Sequence, residues 1–328
     1  MAEKKAGKVV YRQTLSPVLE IFRIGPADGQ PFPPYKSGQY IALSRENCRL
    51  TKKSVDANGE KKYIYDVDEQ GNIKRGPVTH SYSIASAPYE TERHGYVEFY
   101  VGLQVVVLEN PGRLTESLFL VDPEQDNVVA YVNKIAGGFT LDKAAESFQN
   151  VVLVGTGTGL APFISMIKQL HFEATQGRRS TKRFTLFHAN RTVNELGYHE
   201  ELVRIEKERL IDFVYVPSVS RPAGPDHADD RLGKGRANNL LRSVFSMPLM
   251  EEEALRAASD RGAGVAEAQN ALNKTERPIL PVHRPRELLL DRMDPKNTVI
   301  LTCGNPDVME DIRQIAAVRE IPFEKEDW

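Results

Sequence analysis

Residues Val151 to Ser165 read VVLVGTGTGLAPFIS. Four apolar residues make a short run of the kind buried in a parallel sheet, a glycine-rich turn follows, and Pro162 stands where a helix can begin. Proline is tolerated there because a first-turn N–H has no partner within the helix. Gly155, Gly157 and Gly159 let the backbone bend tightly and approach a pyrophosphate. Free N–H groups and the positive dipole end at the helix start then favour the anion. Glycine turns also serve strand-to-helix packing alone, but the strand–turn–helix order here favours phosphate binding.

Downstream of this turn a helical pattern runs through Ile164, Ile167 and Leu170. Phe184 to His188, Phe213 to Val219 and Val299 to Thr302 read as further strands, with Glu200 to Glu208 and Pro306 to Val318 as helices. That alternation predicts a doubly wound parallel α/β sheet. Upstream the character is β: Lys8 to Thr14, Leu19 to Ile24, Tyr40 to Ser44, Lys62 to Val67, His80 to Ile84, Val97 to Leu103 and Val128 to Lys134 are short strand-like runs between Pro/Gly punctuation. Many closely spaced strands predict a small antiparallel β-barrel. The expected organisation is therefore two domains, β then α/β, over residues 1–147 and 148–328. Two stretches read as insertions with solvent-facing surfaces, a polar hairpin over 46–77 and an Ala/Glu-rich helical segment over 250–273.

Composition bounds the function. The chain has 328 residues, 41% hydrophobic and 27% charged, with a net charge of −2, so it is globular in character and gives no global reason to bind nucleic acid. Its two cysteines, Cys48 and Cys303, cannot supply the four thiolates of a conventional iron–sulfur cluster, so an onward electron carrier would be a separate molecule. His188, His199 and His283 lack ligand spacing for zinc, and no metal is expected. No apolar run approaches the length of a membrane span and the N-terminus carries no apolar targeting segment, which leads to a cytoplasmic expectation.

A second phosphate site is suggested by HSYSIASAP, His80 to Pro88, together with KIAGGFTL, Lys134 to Leu141, where two glycines precede Thr140. Two such sites in different domains suggest two dinucleotides, or one flavin and one nicotinamide nucleotide. The run VPSVSR ends on Ser220 and Arg221 where NAD-specific folds place a ribose-binding acid. A guanidinium suits a phosphate dianion because its fork donates two parallel hydrogen bonds, so NADP(H) is expected over NAD(H).

These segments, in this order, resemble the ferredoxin–NADP reductase family, nearest its bacterial-type branch. The resemblance rests on SGQYIALS (Ser37 to Ser44), HSYSIASAP, VEFYVGL (Val97 to Leu103), GRLTESL (Gly112 to Leu118), GGFTLD (Gly137 to Asp142), GTGTGLAPF, HANRTVNEL (His188 to Leu196), SVSR, GKGR (Gly233 to Arg236) and CGNP (Cys303 to Pro306). It runs from about residue 8 to the end and leaves only the two insertions uncovered.

What it implies is an FAD-binding barrel followed by an NADP(H)-binding domain, and an oxidoreductase exchanging electrons between NADP(H) and a ferredoxin or flavodoxin. Carried over by position, Tyr82 stacks on the isoalloxazine, Ser83 lies near its N5, and Ser81 flanks them. Gly138, Phe139 and Thr140 cradle the FAD pyrophosphate. Gly157, Thr158, Gly159 and Leu160 receive the NADP pyrophosphate, while Ser220, Arg221 and Arg236, with Arg191, grip the 2′-phosphate. Cys303 and Gly304 sit beside the nicotinamide, and the terminal Trp328 stacks on the flavin until the nicotinamide displaces it. His80 departs from the family, which has an arginine there against the FAD pyrophosphate; Lys134 is a cation that compensates. Alternative readings are an NADPH-dependent flavin or quinone reductase, a reductase feeding an oxygenase, or a non-catalytic nucleotide-binding component of a larger complex. Lys52, Lys53, Lys61, Lys62, Lys74 and Arg75 are candidates for docking an acidic carrier.

Overall fold

The apolar alternation of the N-terminal runs places Phe22, Ile24, Ile41, Leu43, Phe99 and Tyr131 in one buried cluster, and the strands that carry them pair antiparallel. The computed structural model describes residues 3–55, 59, 61–103, 113–122 and 124–326. Its first unit, Met1–Gly138, contains β1 (Lys4–Ser16), β2 (Leu19–Pro26), β3 (Tyr40–Arg49), β4 (Thr51–Val55), β5 (Lys61–Tyr65), β6 (Arg75–Ser83), α1 (Pro88–His94), β7 (Val97–Gly102), α2 (Arg113–Phe119) and β8 (Val128–Ala136). Six of these strands form a sheet of order β6-β3-β8-β1-β2-β7. Its edges approach one another just beyond β6, where the Ala85 N–H donates to the Glu98 carbonyl at 2.8 Å, so the sheet curls into a half-barrel. Insertion 46–77 contains the β4–β5 hairpin, a separate two-stranded sheet.

The second unit, Phe139–Trp328, continues with α3 (Leu141–Ala144), β9 (Asn150–Thr156), α4 (Ala161–Thr175), β10 (Arg183–Asn190), α5 (His199–Glu208), β11 (Asp212–Val219), α6 (Gly224–Ala228), β12 (Gly233–Lys234), α7 (Ala237–Val244), α8 (Met250–Arg261), α9 (Val265–Asn273), α10 (Arg286–Leu290), β13 (Thr298–Cys303), α11 (Pro306–Val318) and β14 (Phe323–Lys325). All strand pairs in its sheet are parallel, in the order β12-β11-β10-β9-β13-β14. The chain steps outward from β9 to β12 and then returns to β13 on the other side of β9. The carboxyl ends of β9 and β13 therefore flank the switch point at which open α/β sheets bind ligands.

The sequence boundary expected at 147/148 falls after a segment that the contacts assign to the second unit. Phe139 packs on Phe163 at a ring separation of 5.8 Å. Lys182 Nζ donates to the carbonyls of Ala145 and Glu146 at 2.8 Å and of Phe148 at 2.6 Å. Residues 139–148 are thus tied to the sheet they precede. Among the described residues no helix is long and apolar enough to cross a membrane, and no three ligating side chains group to hold a metal.

Candidate functional site

The second unit carries a cavity of about 630 Å³ along the carboxyl edge of its sheet. Its lining follows the strand order. Asn305, Asp307 and Val308 come from the start of α11, just after β13, Thr156 and Gly157 from the end of β9, Ala189, Asn190 and Arg191 from that of β10, and Ser220 and Arg221 from just after β11. Arg236, Ala237, Met250, Lys274, Thr275 and Glu276 close the far wall beside β12. The cavity therefore spans the ends of five adjacent strands, as an extended dinucleotide requires.

The glycine turn explains how that edge is built. Gly157 has a left-handed φ of +56° and opens a 3-10 turn, Gly157–Leu160, that leads into α4. At Gly159 a Cβ would lie 2.1 Å from the Cys303 carbonyl oxygen, and at Gly304 it would lie 2.2 Å from Thr156 Oγ1. Neither position admits a side chain, and their mutual approach locks β9 to β13 at the switch point. Leu160 is fully buried, and of the four predicted residues 157–160 only Gly157 reaches the cavity wall.

Beyond the strands, the Ser220 N–H donates to the Asn190 carbonyl and the Arg221 N–H to the Arg191 carbonyl, at 2.9 and 2.8 Å, so the two strand ends stay in register. The predicted phosphate-gripping arginines differ in their partners. Arg191 is held bidentately by the buried Glu195, at 2.9 and 2.6 Å. Arg236 donates to the buried Glu251 at 2.8 Å. The Arg221 guanidinium is exposed and has no hydrogen-bond or ion-pair partner among the described residues. In the GKGR motif the Lys234 ammonium is buried and caps the carbonyls of Asp229 and Leu232, at 2.9 and 2.8 Å, so it is structural.

Cys303 ends β13, buried, with Sγ 3.0 Å from Glu326 Oε2. Burial, then the neighbouring carboxylate, pushes the thiol well above its ordinary range, so it stays protonated and donates to Glu326. The Glu326 N–H in turn donates to the Thr302 carbonyl at 3.1 Å, extending the β13–β14 pairing. Trp328 lies outside the described residues, as does Gly112.

In the first unit the predicted flavin residues fall on neighbouring register rows. Ser83 pairs with Tyr40 and Tyr40 with Ala136; Tyr82 pairs with Ile41 and Ile41 with Ile135; Ser81 and His80 follow on β6. Lys134, exposed, lies in the irregular stretch of β8 next to Ile135, so it shares an end of the sheet with Tyr82. The Tyr82 ring meets the edge of Phe99 at 6.3 Å, and burial raises its phenol above the ordinary value. Gly137 (φ +108°) turns the chain against Tyr40, and Gln39 Nε2 donates to its carbonyl at 2.9 Å; Gly138 follows, exposed. His80 is lowered by desolvation and then by the positive charge of Arg113, so it is uncharged at neutral pH. Arg113 belongs to the GRLTESL motif, and the sequence alone gave this cation no role. In the second unit the buried Thr140 Oγ1 has no hydrogen-bond partner among the described residues.

The basic hairpin is partly neutralised: Lys52 and Lys74 both face Asp66, at 3.7 and 3.3 Å. Arg75 donates to the Asn47 carbonyl at 3.2 Å, while Lys53 is exposed; the side chains of Lys61 and Lys62 lie outside the description.

Comparison with known proteins agrees with this geometry. Residues 153–255 match the family model of the oxidoreductase NAD-binding domain. The chain is 30% identical over 177 residues to a ferredoxin–NADP reductase of Azotobacter vinelandii, covering 51% of this chain and 58% of that one. It is 25% identical over 214 residues to a subunit of the Na(+)-translocating NADH-quinone reductase of Pasteurella multocida strain Pm70, covering 61% and 47%. The chain thus spans about half the length of these curated relatives. Among solved structures, a ferredoxin NADP+ reductase from Neisseria gonorrhoeae with bound FAD and NADP superposes with a TM-score of 0.59 at 18% identity, covering 99% of both chains. The matched domain lies in the second unit, and the shared fold extends over both units. The chain is thus similar in sequence to a ferredoxin–NADP reductase over about half its length and shares the fold of another over nearly all of it.

Proposed function

We propose that this protein is an FAD-dependent NADP(H) oxidoreductase that passes electrons to or from a small carrier protein, a ferredoxin or flavodoxin. The observation that carries the reading is the cavity along five strand ends, with an unpartnered guanidinium, Arg221, where an NAD-specific fold would have an acid. Support for the flavin comes from the adjacent register rows of Tyr82 and Ser83, with Lys134 next to the first of them, and from the Thr140 hydroxyl, buried without a partner among the described residues. A buried hydroxyl without a partner is costly unless a ligand completes it.

FAD, when bound, supplies the conversion between hydride and single-electron chemistry. The residues of this chain bind and orient. Tyr82 offers a flat apolar face to a flavin, and Ser83 a hydroxyl beside it. Gly138, Phe139 and Thr140 provide backbone and hydroxyl donors to its pyrophosphate, with Lys134 and Arg113 as cations in place of the arginine that His80 lacks. Gly157, on the cavity wall at the turn into α4, meets the nicotinamide dinucleotide's pyrophosphate, and Ser220 and Arg221 meet its 2′-phosphate. Cys303 keeps its proton on sulfur and donates it to Glu326, so the buried end of β13 next to Gly304 carries no thiolate.

The match to one component of an NADH-quinone reductase over 61% of the chain favours a second reading, an NADH-using reductase within a larger assembly. Steady-state assays separate the two. The proposed function requires NADPH oxidation that accelerates when ferredoxin or flavodoxin is supplied as acceptor. Turnover confined to NADH and a quinone, with no response to either carrier, would establish the second reading instead.

A further inference from the structure

The insertion over 250–273 is a helical hairpin, and it is bolted to the nucleotide cavity. Glu251, in the first turn of α8, accepts from Arg236 Nη1 and from Asn239 Nδ2, each at 2.8 Å, and is only 4% exposed. Two residues on, Glu253 takes the Arg242 guanidinium at 2.9 Å, while Arg242 also donates to the Pro248 carbonyl at 2.8 Å. Glu252 pairs with Arg277 at 2.8 Å, which joins the hairpin's entry to its exit. Carboxylates in a first helical turn also favour the helix through its dipole.

The exit strand is fixed as firmly. Lys234 and Ile279 exchange backbone hydrogen bonds at 2.8 and 3.0 Å, so residues 276–279 run past β12 and Gly235, directly after Lys274 caps the end of α9. A Cβ on Gly235 would meet Pro278 Cα at 3.1 Å and the Glu276 carbonyl at 3.3 Å. This route carries Lys274 onto the cavity wall on the β11–β12 side, the side where Arg221 stands. The Lys274 ammonium, like the Arg221 guanidinium, is exposed and without a partner among the described residues. The acids on the wall are placed differently: Asp307 lies at the opposite, β13 end, and Glu276 alone shares the Lys274 side. Arg191 and Arg236 already hold buried carboxylates, and removing either from its partner would leave that carboxylate uncompensated.

We propose that Lys274, delivered by the inserted α8–α9 hairpin, determines nucleotide specificity by binding the 2′-phosphate of NADP(H) together with Arg221, while Arg236 serves to bolt the hairpin through Glu251. This rests on the NADP(H) reading given above and deepens it: half of the phosphate site is positioned by an inserted element, since Lys274 directly follows the last residue of α9, Asn273.

The test is calorimetric titration of the full chain with adenosine 2′,5′-bisphosphate and with 5′-AMP, which differ only in the 2′-phosphate. The wild type binds the bisphosphate more tightly. Lys274→Ala weakens bisphosphate binding about tenfold, the scale of one lost charge-assisted hydrogen bond, and leaves 5′-AMP unchanged. Lys274→Arg retains the preference, Arg221→Ala reduces it, and added salt narrows it. A Lys274→Ala protein with the full wild-type preference, or one that loses both ligands equally, overturns the role of Lys274 while Arg221→Ala still reports on the NADP(H) reading. A wild type without preference between the two ligands overturns both.

Discussion

His188 shows how far burial can move a single group. It sits on β10 with no exposure, Nδ1 3.1 Å from the Tyr215 hydroxyl and Nε2 without a partner among the described residues. Burial, and then the nearby His199, push its imidazole down to about 3. In the unfolded chain the same group titrates near ~6.5. As pH falls through that value the unfolded chain gains a proton that the folded chain refuses, so stability is lost progressively between about 6.5 and 3. His199, also lowered, acts with the same sign. Urea unfolding of His188→Gln at several pH values should show a shallower loss in the acid range, by up to ~1.4 kcal/mol per pH unit. An unchanged slope would place the acid sensitivity elsewhere. The arginines give the same lesson: Arg191, Arg221 and Arg236 are equivalent in sequence, and only the folded chain shows which two already hold carboxylates.

At the scale of elements, the β9–turn–α4 unit depends on contacts that its own sequence does not contain. Gly159→Ala would drive a methyl group into the Cys303 carbonyl, which is backbone and cannot rotate away. It should lower stability by about 3 kcal/mol or more and weaken nucleotide binding, read by urea midpoint and by titration. A fully stable variant would mean that β13 yields more easily than close packing allows. This unit was legible from VVLVGTGTGLAPF because a buried strand, a glycine turn and a helix-starting proline are all local signals. The reason for Gly159 was not, since its neighbour Cys303 lies far along the chain. The inserted helices α8 and α9 were equally visible as helices from their Ala/Glu content. Their attachment was hidden, because Glu251 and Glu253 look like solvated charges until Arg236 and Arg242 are brought beside them. Glu326 was hidden for the same reason: its meaning lies in the buried thiol it faces.

For the whole molecule, strand periodicity and turn residues were enough to foresee an antiparallel half followed by a doubly wound parallel half. The limits of each half depend on packing instead. Phe139 and the three carbonyls on Lys182 draw residues 139–148 into the second unit, and no composition change marks that. The proposed function requires FAD on the first half and NADPH on the second. The most direct measurement is the visible spectrum of the purified, FAD-supplied protein without oxygen, before and after NADPH or NADH. The claim predicts a bound flavin band that bleaches, and bleaches faster with NADPH than with NADH. A protein that retains no FAD, or a bound flavin that neither nucleotide reduces, would contradict it.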